Sequence, residues 1–175
     1  MDKIDPVKLT ALFLILLISP TLLAGDKELS KKIQSPIVIP MTGAGQSTTT
    51  KLGNSFVTRT QSGQSFTTTR LGSSTITRDS KGNTWTTTQL GNNFVTRGPD
   101  GQRQTTSPLG QSYITRDSKT GSTFTTTPLG NSLQTRGPGG SAYSTSPLGN
   151  SMVTRGYPAK STDSATRLIV VPATK

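Results

Sequence analysis

The chain has 175 residues, of which 29% are hydrophobic, and it carries a formal net charge of +11. It contains no cysteine and no histidine, which excludes disulfides, thiol nucleophiles, Cys- or His-based metal sites and histidine-dependent catalysis. So few apolar residues cannot form a large mixed core, and the chain must therefore either stack repeated units that each bury a few side chains or stay disordered.

The first predicted element is a signal peptide over residues 1–24. Lys3 and Lys8 precede an apolar run at 9–18. This run is shorter than the roughly 20 apolar residues of a membrane span. Cleavage is expected after Ala24, with Gly25 as the second choice and an uncleaved membrane anchor as the alternative. The prediction implies export to the periplasm or the outside of the cell, with membrane contact only through this segment.

Residues 25–51 are predicted to form a linker with a short capping strand at 36–40. Residues 158–175 form a matching tail with a short strand at 168–171, since both segments are runs of branched apolar residues. Each strand is expected to cap one end of the intervening region. The alternative is that the two segments are adhesive tails that dock a partner.

The intervening region, residues 52–157, is a six-unit repeat array. The dipeptide Leu-Gly recurs at intervals of 19 or 20 residues, and a fixed period indicates one structural unit repeated. Its six copies begin at Leu52, Leu71, Leu90, Leu109, Leu129 and Leu148.

Each unit reads as strand, turn, strand. An apolar pair and Thr-Arg precede a turn such as Gly98-Pro99-Asp100-Gly101, and an aromatic residue with a Thr/Ser run follows it. The array is therefore predicted to be all-β. Both a β-solenoid of stacked rungs and an antiparallel hairpin meander fit this pattern.

Residues 52–155 resemble two families of repeat proteins in their architecture. Leu90-Gly91, followed by the turn that ends at Gly101, resembles the YD/RHS hairpin repeat of secreted bacterial proteins, although the Tyr-Asp dipeptide is missing. The period of about 19 residues resembles curli-type amyloid subunits, with amide residues after Leu-Gly at Asn54, Asn92, Gln111, Asn131 and Asn150. The second resemblance implies self-association of secreted copies.

One candidate site is a column of arginines that occupies the same position in every unit. Each guanidinium can bond two oxygens of a phosphate, sulfate or carboxylate. The alternative is a set of edge charges that prevents lateral strand pairing. The column comprises Arg59, Arg78, Arg97, Arg116, Arg136 and Arg155.

The second candidate site is a threonine array. Residues two apart in a strand face the same side, so stacked rungs would align these threonines in two flat columns, similar to the ice-binding faces of β-helical antifreeze proteins. The alternative is ordinary strand propensity with cross-strand threonine pairing. The array comprises Thr67, Thr69, Thr86, Thr88, Thr125 and Thr127.

No catalytic, metal or cofactor site is predicted. The acidic residues within the repeats lie in turns, and no phosphate-binding glycine loop occurs. The repeated aromatic residues are predicted to be core, which argues against base stacking and a nucleic-acid partner. They are Phe66, Trp85, Phe124 and Tyr143.

The sequence thus predicts an exported, non-enzymatic protein with a structural, adhesive or self-assembling role. The alternative is a monomeric module that binds an anionic polysaccharide or surface through the arginine column, because the chain is strongly basic. An ice-binding threonine array is the third hypothesis.

Overall fold

The computed structural model describes residues 37–41, 45–157 and 167–171. The predicted signal peptide lies outside these residues, as do most of the linker and the tail. Among the described residues, no helix has the length and apolar character needed to cross a membrane.

The described chain is built of antiparallel strands. They are β1 (Ile37–Met41), β2 (Gly45–Leu52), β3 (Ser55–Thr60), β4 (Ser65–Leu71), β5 (Ser74–Asp79), β6 (Thr84–Leu90), β7 (Asn93–Arg97), β8 (Arg103–Leu109), β9 (Ser112–Asp117), β10 (Thr123–Leu129), β11 (Ser132–Arg136), β12 (Ala142–Leu148), β13 (Ser151–Tyr157) and β14 (Arg167–Val171). Strands β2 to β13 form a closed barrel in which each strand pairs with the next along the chain and β13 pairs with β2. Strands β1 and β14 form a separate two-stranded sheet.

The all-β prediction is confirmed, and the hairpin meander rather than the β-solenoid is the arrangement observed. The physical reason lies at Leu-Gly, where the chain reverses. Gly53 has φ of 58° and is the first of two loop residues between the paired Leu52 and Ser55. This arrangement is typical of a type II′ hairpin turn, whose first central position favours glycine. Successive strands are therefore antiparallel, whereas stacked solenoid rungs require parallel neighbours.

The structural unit is a hairpin centred on Leu-Gly, so the barrel begins at Gly45 and not at residue 52. Among the described residues, the sixth Leu-Gly unit has a first strand, β13, but no second barrel strand after it. Strand β2, which precedes the first Leu-Gly, supplies that missing partner: Thr50 pairs with Ser151 and Gln46 with Arg155. Closure thus joins the beginning and the end of the array.

The centre of the barrel is a layer of twelve buried threonines. Each hairpin contributes two, one from each strand, and their hydroxyl groups hydrogen-bond across the pair at 2.8–2.9 Å. The pairs are Thr49–Thr58, Thr68–Thr77, Thr87–Thr96, Thr106–Thr115, Thr126–Thr135 and Thr145–Thr154. Because each buried hydroxyl has a partner, the barrel interior tolerates this polar layer.

Thin apolar layers lie on both sides of the threonine layer. On one side, Phe66, Trp85, Phe124 and Tyr143 are buried, which confirms their prediction as core, and the rings of Phe66 and Trp85 lie 6.2 Å apart. On the other side, the buried side chains include Phe56, Phe94, Leu133 and Met152. This alternation explains how a chain with few apolar residues closes a barrel.

The two flanking strands were predicted at 36–40 and 168–171 and are present as β1 and β14. They pair with each other, with Ile39 opposite Ile169, so the prediction that each caps a different end of the array is wrong. Closure is the reason, because Gly45 and Gly156 are themselves register partners. Both segments therefore leave the barrel at the same rim.

Candidate anion-binding girdle

The six predicted arginines form a ring on the outer wall of the barrel. Each one follows a buried threonine of the central layer, so strand alternation turns its side chain outward, and all six are exposed. They occupy equivalent positions on every second strand, from β3 to β13. Neighbouring strands are about 4.8 Å apart, so neighbouring arginines are about 10 Å apart. We call these six residues the arginine girdle.

Every girdle arginine lies directly opposite a hydroxyl-bearing residue on the preceding strand. The pairs are Arg59 with Thr48, Arg78 with Thr67, Arg97 with Thr86, Arg116 with Thr105, Arg136 with Thr125, and Arg155 with Ser144. Directly opposite residues share a face of the sheet. The structure therefore brings together the arginine column and half of the predicted threonine array, namely Thr67, Thr86 and Thr125.

The other half of the threonine array serves the sheet itself. The hydroxyl groups of Thr69, Thr88 and Thr127 hydrogen-bond to serines on the adjacent strand at 2.8, 3.1 and 2.8 Å. All six array residues lie on alternate strands around a closed wall. They do not form the two flat, stacked columns that the ice-binding hypothesis assumed.

A seventh arginine, Arg103 on β8, lies beside the arginine girdle and was not among the residues predicted from the sequence. Arg103 lies directly opposite Arg97 and diagonal to Arg116, since Thr105 is the register partner of Arg116. All three guanidinium groups are exposed on adjacent strands. We call Arg97, Arg103 and Arg116 the arginine cluster. Arg103 could have been recognised in the sequence because its position holds an uncharged residue in every other unit. Those residues are Gln46, Ser65, Thr84, Thr123 and Ala142.

The arginine cluster is electrostatically unfavourable without an anion. Like charges directly opposite in a sheet destabilise it. The carboxylates among residues 45–157 belong to Asp79, Asp100 and Asp117, all in or beside the turns, and none forms an ion pair with a girdle arginine. A bound anion would relieve this repulsion.

A groove of about 430 Å³ runs along β8 and β9 beside the cluster. Hydroxyl groups and a guanidinium line it together with apolar side chains, a combination that suits the polar edges and apolar faces of a sugar ring. Its lining residues are Thr105, Ser107, Pro108, Leu109, Ile114, Arg116 and Ser118. Ser118 Oγ donates a hydrogen bond to the Arg103 carbonyl at 3.0 Å, which connects the groove to the cluster.

Asp117 is turned away from the girdle into the barrel. Burial by itself raises the pKa of its carboxyl group, but hydrogen bonds outweigh that effect and hold the pKa below its usual value. The donors are the backbone N–H groups of Thr120 and Lys119 and the side-chain amides of Gln104 and Gln102. The negative charge therefore stays on the inner side of the wall, where it caps a turn.

Comparison of the chain with protein-family models, with curated proteins and with solved structures found no match. The resemblances to YD/RHS and curli-type repeats therefore stay predictions. Among the described residues, no group of three or more acidic side chains is placed to hold a metal ion.

Proposed function

We propose that this protein is an exported, non-enzymatic binding module that holds an anionic polysaccharide on its arginine girdle. One observation carries the proposal: six outward arginines, each opposite a hydroxyl group, lie at one level around a closed barrel. Export depends on the signal peptide predicted at residues 1–24. An adhesive role follows where the polysaccharide belongs to a cell surface.

The pairing of arginine with threonine or serine matches the chemistry of an acidic sugar. The guanidinium fork bonds two oxygens of a sulfate or carboxylate, and the neighbouring hydroxyl can donate to, or accept from, a sugar hydroxyl. The closed wall holds the six pairs in place before binding, which lowers the ordering cost of recognition. A flexible polymer with anionic groups spaced about 10 Å apart would meet successive girdle positions.

The outer surface favours a polysaccharide over a nucleic acid. Single-stranded nucleic acids are held by aromatic side chains on which bases stack, and the repeated aromatics of this barrel are buried. Among residues 45–157, Tyr157 is a strongly exposed aromatic side chain, and it lies at the end of β13 beyond the girdle. The wall around the arginines is lined by threonine and serine instead.

The first test replaces the arginine cluster with Arg97→Gln, Arg103→Gln and Arg116→Gln in one variant. Titration calorimetry with a sulfated glycosaminoglycan and with a polyuronate should show at least about a hundredfold weaker binding, because each lost charged hydrogen bond contributes roughly 1.5–3 kcal/mol. Binding by the unmodified protein should also weaken steeply with added salt.

The matched control carries Lys51→Gln, Arg70→Gln and Lys81→Gln, which removes the same charge from positions outside the girdle. We expect it to bind within about threefold of the unmodified protein, since only long-range attraction is lost. Equal losses in the two variants would show that net charge, and not the girdle, attracts the polymer. No measurable binding of either polymer would contradict the proposal.

The geometry offers less support for self-assembly, the leading hypothesis from the sequence. Templated growth needs unpaired strand edges, and every barrel strand is paired on both sides. Among the described residues, the two outer edges of the β1–β14 sheet are the free ones. Self-association therefore stays a prediction that would have to act through those edges.

A further inference from the structure

Six leucines stand exposed at one rim of the barrel. They are the leucines of the Leu-Gly dipeptides, with exposed fractions of 54–66%. Each ends a strand immediately before its two-residue turn. Because these strands all run in the same direction, the six lie at the same end of the barrel. We call Leu52, Leu71, Leu90, Leu109, Leu129 and Leu148 the leucine rim.

Nothing in the barrel requires leucine at these positions. The side chains point outward, away from the threonine and apolar layers, so they add little to the core. The tight turn itself requires the glycine, and Gly72 for example has φ of 59°. Exposed apolar side chains repeated at one end of a protein mark an interaction surface.

Among the residues that the structure describes, the charges near this rim have one sign. Lys51 and Arg70 are exposed in the last two positions of β2 and β4. All three aspartates of the barrel lie in or beside the longer turns at the opposite rim. The leucine rim therefore combines apolar side chains with positive charge, the combination that binds an anionic lipid surface.

We infer that the leucine rim docks on the surface of an anionic lipid bilayer, with its leucines entering the interface and Lys51 and Arg70 facing the headgroups. A flat surface contacts all six leucines at once because the closed barrel holds them at one level. A second copy of this chain, placed rim to rim, would bring Lys51 and Arg70 towards the like charges of the other copy. The girdle stays free, because it lies nearer the opposite rim.

The test measures co-sedimentation of the chain from residue 25 with vesicles of equimolar phosphatidylcholine and phosphatidylglycerol. The apolar run at 9–18 is omitted because it would bind lipid by itself. The variant carries Leu71→Ser, Leu90→Ser and Leu129→Ser, all outside the groove along β8 and β9, and its vesicle partition coefficient should fall about tenfold or more. Tyr157→Ser, which removes an exposed apolar side chain at the opposite rim, should leave partitioning unchanged.

Phosphatidylcholine vesicles alone should bind the unmodified chain more weakly, and so should anionic vesicles in high salt. Circular dichroism checks that the variants are folded, and retained polysaccharide binding separates this inference from the girdle. Absent sedimentation, or equal sedimentation of the triple-leucine variant, would overturn the inference. A dimer in lipid-free sedimentation velocity that the leucine substitutions abolish would assign the rim to a second copy.

Discussion

At the scale of single residues, the barrel holds one carboxylate in its interior by surrounding it with donors. Asp117 is only 3% exposed. The side-chain amides of Gln104 and Gln102 donate to its Oδ2 at 3.2 and 3.4 Å, and Trp85 Nε1 donates to Gln102 Oε1 at 3.0 Å. Gln104 stands where four of the five other hairpins carry an aromatic residue, and its Oε1 is a buried acceptor without a partner. This position thus exchanges apolar packing for a polar network.

The lowered pKa of Asp117 predicts how stability depends on pH. A depressed folded-state pKa stabilises the protein above the unfolded value of about 3.9, and the effect is lost as the pH falls through the folded pKa. Asp117→Asn should therefore lower the free energy of unfolding at neutral pH by about 1–3 kcal/mol, and the variant should unfold at a lower urea concentration. The difference in free energy of unfolding between this variant and the unmodified protein should become smaller as the pH falls, and urea titrations at a series of pH values measure it.

The control is Asp100→Asn, because Asp100 is exposed in a left-handed conformation with φ of 57° that asparagine tolerates well. Its stability in urea should stay within about 0.5 kcal/mol of that of the unmodified protein at neutral pH. If Asp117→Asn has an unchanged pH profile, the carboxylate is not the group that links folding to acid.

At the scale of the hairpin, the stabilising unit is a pair of threonine hydroxyl groups. In the β4–β5 hairpin, Thr68 and Thr77 lie opposite each other and hydrogen-bond at 2.9 Å. Both are almost completely buried, at 2% and 1% exposure. A buried hydroxyl is tolerated only while its partner is present, so the two members of a pair depend on each other.

A double-mutant cycle tests this dependence. Thr68→Val and Thr77→Val should each lower the free energy of unfolding by about 1–3 kcal/mol, because the remaining hydroxyl loses its partner. The double variant should be more stable than the sum of the two losses implies, since no unpaired group remains. Thr67→Val, on the outer face of the same strand, should change stability by less than about 0.5 kcal/mol. Additive losses at Thr68 and Thr77 would contradict the pairing.

At the scale of the whole molecule, closure distinguishes this barrel from an open repeat array. In open arrays, stability is a sum over neighbouring repeats and ends unfold locally. Here β2 pairs with β13, which lies near the other end of the array. The hydroxyl groups of Thr50 and Ser151, 101 residues apart in the chain, hydrogen-bond across this seam at 2.8 Å. Breaking that seam removes the constraint on every hairpin.

Closure predicts a single cooperative unfolding transition. Thr48→Pro removes a backbone donor in β2 and should lower stability by about 3 kcal/mol or more. The loss should appear equally in far-ultraviolet circular dichroism and in the fluorescence of Trp85, the single tryptophan, which lies on β6. Thr48→Val, which keeps the donor, serves as the control. Separate transitions for the two signals would indicate independent hairpins.

Local patterns explain which features were predictable from sequence. Alternation along each strand turns Arg59 outward and buries Phe66, and this rule needs no knowledge of distant residues. The sequence pattern predicts turns at the longer loops such as 98–101, whereas the structure also reverses the chain at each Leu-Gly. The sequence does contain a pattern for this reversal. Glycine followed by a polar residue, placed between two strand-forming runs, is typical of a two-residue hairpin loop.

The repeat period, the strand content, the buried aromatic residues and the outward arginines follow from local patterns in the sequence, because all four depend on interactions within one hairpin. The closure of six hairpins into a ring, the pairing of β1 with β14 and the position of Arg103 opposite Arg97 became evident only in the folded chain. Folding also placed Thr67 beside Arg78 and brought six leucines to one rim. These juxtapositions depend on register and closure, which are long-range properties that no local pattern encodes.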